Sequence, residues 1–195
     1  MPKEARPHPT LLTPRLRLRQ FRVDDTDAMH ECYADREAMR FWNSPVHTER
    51  MQTERAVRRF IDCTPSYYRF WAVADIETDR CVGMVNYHDG RMRDKRADIG
   101  YIVTPARHRQ GIATEAVVAM LDHCFGELGL HRVQAFIEPE NAASRALAEK
   151  LGFRREGLLR DSLRARGSWH DEMIYGLLSA DYLRPGQTSQ SHQPN

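Results

Sequence analysis

Pro105-Ala106-Arg107-His108-Arg109-Gln110-Gly111-Ile112-Ala113-Thr114-Glu115-Ala116 is the stretch on which the fold turns. Downstream of it Val117, Met120, Leu121, Cys124, Phe125 and Leu128 recur at helical spacing, and Gly129 stands where a helix would stop. The spacing predicts a helix from about Gln110 to Leu128. Its first turn has N–H groups without intrahelical partners, and the helix dipole adds positive potential there. Gly111 has no Cβ and Ala113 has the smallest one, so a diphosphate can approach the main chain closely. Arg107 and Arg109 add cationic side chains. Alone, these residues also fit an ordinary helix start with solvated arginines.

Upstream, Ala97–Val103 reads as a strand with Ile99, Tyr101 and Val103 on one face. Gly100 inside it marks a bulge, a close approach of another backbone, or a simple twist point. A bulge or close approach would splay this strand from its neighbour and free main-chain groups. Downstream, Arg132–Ile137 reads as a strand ended by Pro139. Asn141 then follows as an N-cap with Ser144 at N3, Leu147 and Leu151 on one face, and Gly152 as the stop.

The ordered set resembles the GNAT superfamily of N-acetyltransferases, in its RimJ/RimL branch. It consists of a strand, His108-Arg109-Gln110-Gly111-Ile112-Ala113, a helix, a strand, then Asn141-x-x-Ser144 with Glu149-Lys150-Leu151-Gly152-Phe153. Leu12–Arg19, Phe41-Trp42-Asn43-Ser44-Pro45 and Trp169–Tyr175 fit the same branch, so the resemblance covers roughly residues 11–184. It implies one α+β domain over 11–184; residues 1–10, polar and Pro-rich, and 185–195, Pro-Gly-Gln-Thr-Ser-Gln-Ser-His-Gln-Pro-Asn, read by composition as loose termini. It also implies a mixed, mostly antiparallel sheet of about seven strands, splayed between the fourth and fifth and flanked by about four helices. Acetyl-CoA would lie in the splay, with its pantetheine arm pairing with the strand near Ile102 and Val103. His108, Arg109, Gln110, Gly111, Ile112, Ala113 and Thr114 would hold the diphosphate, with Asn141 and Ser144 beside it. Two positions depart from the family pattern. His108 stands where Arg or Gln is usual. Ala148 stands where many GNAT enzymes place the Tyr thought to protonate the leaving thiolate, which turns attention to Ser144 as the substitute.

With 195 residues the chain is long enough for one well-filled core and short for two domains. A net charge of +2 implies no polyanionic partner, so no direct nucleic-acid binding is expected. Nothing approaches a transmembrane run or a signal core, so a cytoplasmic protein is expected. Cys32, Cys63, Cys81 and Cys124 are scattered and read as reduced, with Cys32 and Cys124 on apolar helical faces. No sequence pattern of metal ligands occurs, so no metal is expected. Arg15, Arg17 and Arg19 alternate with Leu16 and Leu18 and read as one solvated strand face.

The remaining elements read as strand 15–22, helices 25–40 and 48–62, strands 70–76 and 80–88, helix 141–151, and strands 153–160 and 169–178. Thr78-Asp79 reads as a turn.

Direct transfer to an amine needs a base, a polarised carbonyl and a proton for the thiolate, but no activated cysteine. Ser144 is the candidate donor. Asp98 is the first candidate base and Glu138 the second; an exposed strand carboxylate is the plain alternative for Asp98. Glu115 reads as dipole-stabilising only. No paired His–carboxylate relay is visible in the sequence. Trp42, Tyr87 and Trp169 are candidate acceptor-site residues, with His88 and His170 nearby and core packing the alternative for the aromatics. The expected reaction is acetylation of a protein N-terminal α-amine, as on a ribosomal protein. A small amine acceptor is the first alternative, and a non-catalytic acetyl-CoA-binding module is the alternative of another class. A monomer or homodimer is expected.

Overall fold

A computed structural model describes residues 8–63 and 67–182. The expected loose ends fall mostly outside those residues. His8–Thr10, which are described, are anchored: Trp71 Nε1 donates to the Pro9 carbonyl at 2.9 Å, and His8 Nε2 donates to Phe70 O at 2.9 Å.

Eight strands form one sheet: β1 (Leu11–Leu12), β2 (Leu16–Arg19), β3 (Arg69–Asp75), β4 (Cys81–Arg91), β5 (Arg96–Val103), β6 (Arg132–Ile137), β7 (Arg154–Ala165) and β8 (Ser168–Leu178). Their order is β1-β2-β3-β4-β5-β6-β8-β7. Every neighbouring pair is antiparallel except β5 and β6. The eighth strand, absent from the sequence reading, is β1; two residues are too short to carry a periodic signal. The helices are α1 (Thr26–Tyr33), α2 (Arg50–Ile61), α3 (Ile112–Asp122) and α4 (Ala142–Lys150).

Several boundaries differ from expectation. The helix expected over 25–40 ends at Tyr33, because Asp35 starts a separate turn in which its carboxylate accepts the Ala38 N–H at 2.7 Å. The helix expected over 110–128 begins at Ile112, and its last turn, His123–Glu127, is π-helical before Gly129 stops it. The last hairpin reaches Ala165 and Ser168, joined through Arg166 and Gly167 at φ 52° and 81°. That is the two-residue turn whose twist matches paired strands.

The sheet carries a core on each face. Ile99, Val103, Ile112, Val117, Met120, Leu121, Val133 and Tyr175 pack together on the α3/α4 face, with Tyr101 partly buried against them. Met29, Cys32, Tyr33, Val57, Ala72, Met84 and Ile102 pack on the α1/α2 face. Successive β5 side chains therefore alternate between two compartments.

The arginine stripe is solvated only in part: Arg15 and Arg17 remain open to solvent, and Arg19 does not. Leu16 and Leu18 are fully buried as expected, but so is Arg19, bound through two nitrogens to Asp25 at 2.8 Å each. Arg17, Arg19 and Arg22 converge on Asp79 in the β3–β4 turn. A cationic side chain can lie inside here because its carboxylate partners are supplied from other elements.

Candidate active site

β5 and β6 pair over only Arg96–Asp98 and Arg132–Gln134 before they diverge. The gap is the expected splay, and its apex is Asp98. Gly100 does not bulge; it stays in register with Asn86. The close approach there is by a side chain: a Cβ on Gly100 would meet Asn86 Oδ1 at 2.8 Å.

Antiparallel hydrogen bonds alternate along a strand. Thr104 N–H donates to Val82 O, so the register places the Ile102 main chain toward β4 as well. Ile102, expected to face the arm of the cofactor, is thus turned away, with its side chain in the α1/α2 core. The same alternation turns the main chain of Tyr101 and the Val103 N–H toward the gap. The Val103 carbonyl is already taken by His108 Nε2 at 2.8 Å.

The segment before α3 is braced from within. His108 is tied to Val103, Gln110 Nε2 donates to Ala106 O at 3.0 Å, and Arg15 donates to the Gln110 carbonyl at 3.0 Å. Arg107 pairs with Asp75. These side chains hold the loop in place. Gly111 is the N-cap at φ 78°, a left-handed conformation that glycine adopts without strain, and no side chain caps the first turn of α3. Ile112 is buried, whereas Ala113 and Thr114 are partly open. Glu115 does more than face the dipole: it accepts from Thr13 Oγ1 at 2.6 Å and from the Arg15 main chain and guanidinium. Burial alone would raise its pKa, but these bonds outweigh burial and hold it below the usual range.

On the α3/α4 face, Asn141 caps α4 as expected, its Oδ1 accepting the Ser144 N–H at 3.1 Å. Ser144 Oγ is therefore not the cap. It lies 2.6 Å from the Tyr101 hydroxyl. Tyr101 was missed as a functional candidate; it read only as one residue of an apolar strand face.

On the α1/α2 face lies a cavity of about 590 Å³ whose wall includes Trp42, Asn86, His88, Asp98 and Glu138. The loop after α1 and the β7–β8 hairpin both contribute to it, through Phe41–Ser44 and through Leu163 and Glu172. His88 on β4 stands directly opposite Asp98. This is the His–carboxylate pair that sequence spacing hid. Burial pushes the Asp98 carboxyl up, partly offset by His88 and by a hydrogen bond from Gln134. Burial pushes the His88 imidazole down, partly offset by Asp98 and Asp89. Asn86 Nδ2 lies 3.1 Å from His88 Nδ1, an amide donor that leaves the ring proton on Nε2. Behind Asp98, Gln134 accepts from Arg132 Nε at 2.9 Å, and Arg132 pairs with Glu156.

Three candidates stand differently from expectation. Glu138 is 6% exposed and its Oε2 is shared by Arg166 and His170, so it latches the hairpin to the end of β6. Tyr87 is 1% exposed and belongs to the α3/α4 core beside Trp71, not to the cavity wall. Trp169 is 58% exposed on the hairpin, with Arg164 over its ring, outside the cavity. The four cysteines are free. Burial pushes Cys32, Cys81 and Cys124 up to about 12, which suits packing and not nucleophilic attack. His88, Asp89 and Asp98 bring their ligand-type atoms within 4.8 Å of one another. Among the described residues no helix is long and apolar enough to cross a membrane.

The Acetyltransferase (GNAT) domain family matches residues 15–154. An uncharacterized N-acetyltransferase, p20, of Bacillus licheniformis is 32% identical over 174 residues, covering 89% of this chain and 98% of the relative. The [Ribosomal protein uS5]-alanine N-acetyltransferase of Escherichia coli is 26% identical over 60% of this chain and 61% of its own length. The crystal structure of a GNAT-family acetyltransferase from Bacillus anthracis superposes with a TM-score of 0.80 at 29% identity, covering 88% of this chain and 99% of that one.

Proposed function

The chain belongs to the GNAT acetyltransferase family, and from that premise we propose that it passes the acetyl group of acetyl-CoA directly to a protein N-terminal α-amine. The observation that carries this reading is the placement of two kinds of group on opposite faces of β5. Asp98 and His88 face the cavity on one side, and Ser144 faces the gap on the other. With the diphosphate on the main chain of residues 109–114, the pantetheine arm runs back along β5 toward the apex, where the thioester meets both faces. The Tyr101 main chain is placed to pair with the arm, and an N–H in this stretch polarises the carbonyl. Asp98 takes the ammonium proton, and Ser144 serves the departing sulfur.

An α-amine suits this machinery. Its reference pKa is roughly 8, against about 10.4 for lysine; the gap of ~2.4 units makes deprotonating lysine ~3.3 kcal/mol harder. The uS5-alanine acetyltransferase among the relatives is in keeping with such an acceptor. A small polyamine is the second reading, favoured by Asp89, Asp98 and Glu172 in the cavity wall.

The test is thiol release from acetyl-CoA with three acceptors: a Ser- or Ala-starting peptide, its N-terminally blocked lysine-containing twin, and spermidine. Turnover of the free peptide is expected. Preference for the blocked peptide or for spermidine would move the acceptor to a lysine or a polyamine, and no release with any of them would leave a binding module.

A further inference from the structure

We infer that the Tyr101 hydroxyl is the proton reserve for thiolate departure, acting through Ser144; this rests on the acetyl-transfer reading above. A serine hydroxyl is a poor acid on its own, so a Ser144 that gives its proton to sulfur needs immediate replacement. α4 offers no hydroxyl for this from Ala148, which is buried in the core. Tyr101 does, from β5 across the gap. Its Oη is 2.6 Å from Ser144 Oγ and is that oxygen's one hydrogen-bond partner among the described residues.

The backbone fixes the pair from both ends. Tyr101 is carried by a strand paired to β4, and Ser144 by a helix whose Asn141 cap holds the Ser144 N–H. A serine hydroxyl has one proton and two lone pairs. When Tyr101 donates into Ser144 Oγ, the serine proton is free to point into the gap. Burial holds the tyrosine hydroxyl above its ordinary value, eased by Ser144, so it keeps its proton until charge develops nearby.

The neutral amine attacks the thioester carbonyl and forms the C–N bond. Collapse of the adduct breaks the C–S bond and sends the electron pair to sulfur. Sulfur takes the proton of Ser144 Oγ, and Ser144 takes that of Tyr101 Oη. Free CoA thiol and a tyrosinate result, and the tyrosinate regains a proton from solvent. On the other face Asp98 passes the ammonium proton to solvent before attack, then takes the surplus N–H proton of the adduct and returns it to solvent. A free tyrosine, at roughly 10, lies far closer to a free thiol, at roughly 8.5, than a serine does, and burial widens that gap for Tyr101. Tyr101 is a positioning and relay residue here, since it reaches the sulfur only through Ser144.

The test uses the full chain and the best acceptor found by thiol release. Tyr101→Phe removes one oxygen and keeps the ring. The expected result is a kcat lower by ~10²-fold, with CoA affinity by calorimetry and thermal midpoint close to wild type. Because the two hydroxyls act in series, the double variant Tyr101→Phe/Ser144→Ala should be no slower than Ser144→Ala alone. The wild-type rate in mixtures of H2O and D2O, which needs no variant, should curve as for two protons in flight. Unchanged kcat in Tyr101→Phe, independent multiplication of the two losses, or a linear one-proton inventory would each overturn the relay while acetyl transfer by the wild type stands. A wild type that binds CoA but acetylates nothing overturns the reading and the relay together.

Discussion

His88 and Asp98 face each other across β4 and β5 at the point where the sheet opens. Neither neighbours the other in sequence, yet together they put an imidazole and a carboxyl on the wall of one cavity. Burial raises the carboxyl and lowers the imidazole, and each group partly offsets the shift of the other.

That pairing sets the pH dependence. With Asp98 as the proposed base it must be ionised, so activity is expected to fall as pH drops through its raised value, above the ordinary ~3.9 of a free aspartate. A protonated His88 pulls Asp98 down. His88→Asn removes that pull and should move the acidic limb of kcat/KM to higher pH. Asp98→Asn should abolish the limb and lower kcat by ~10²-fold or more. Rates across about pH 5–9 check this; an acidic limb unchanged in both variants would remove the pair from the chemistry.

The His88, Asp89 and Asp98 group serves protons and not a cation on this account, with Asn86 and Gln134 already bonded into it. Dialysis against EDTA should leave kcat unchanged. A loss restored by one divalent ion would reassign the group.

Gly111→Val should weaken CoA binding. A Cβ there would meet Arg15 Nη2 at 3.4 Å, so a branched side chain crowds the guanidinium that braces the loop, and φ 78° costs a residue with a Cβ about 1–2 kcal/mol. The expected calorimetric result is a Kd raised roughly tenfold, or about 1.4 kcal/mol, with a lowered thermal midpoint. Equal affinity in the two proteins would move the phosphate site elsewhere.

Ser144→Ala and Asn141→Ala should separate chemistry from capping. The first should lower kcat by ~10²–10⁴-fold with a smaller change in the KM for acetyl-CoA. The second should cost about 1 kcal/mol of stability in a denaturant melt, as the lost cap of α4. If kcat survives in Ser144→Ala, the serine is a helix residue only.

Asp25→Ala should be among the more destabilising single changes, since it strands the buried Arg19 guanidinium. Losing one partner of a buried ion pair typically costs about 3–5 kcal/mol. A urea midpoint within error of wild type would show that Asp79 alone suffices for Arg19.

The α3 helix, the Asn141 cap, the stop at Gly129 and the alternating face of β5 were legible because each is encoded within a turn or two of chain. Hydrophobic period and capping residues need no knowledge of neighbours. The same local signals, together with the order of the motifs, were enough for the family. What surrounds each side chain was not encoded that way. Arg19 read as solvated until β3–β4 brought Asp79 beside it and the turn before α1 brought Asp25. Glu138 read as the second candidate base, with no sign of Arg166, 28 residues away, which the far hairpin brings onto its carboxylate. Tyr101 and Ser144 lie 43 residues apart and meet only because the strands diverge between them. Long-range pairing depends on sheet register, and register is settled by the packing of both faces at once. The sequence by itself determined the family, every α-helix and every strand but the short β1, with several boundaries shifted, whereas the tertiary structure decided which groups can exchange a proton.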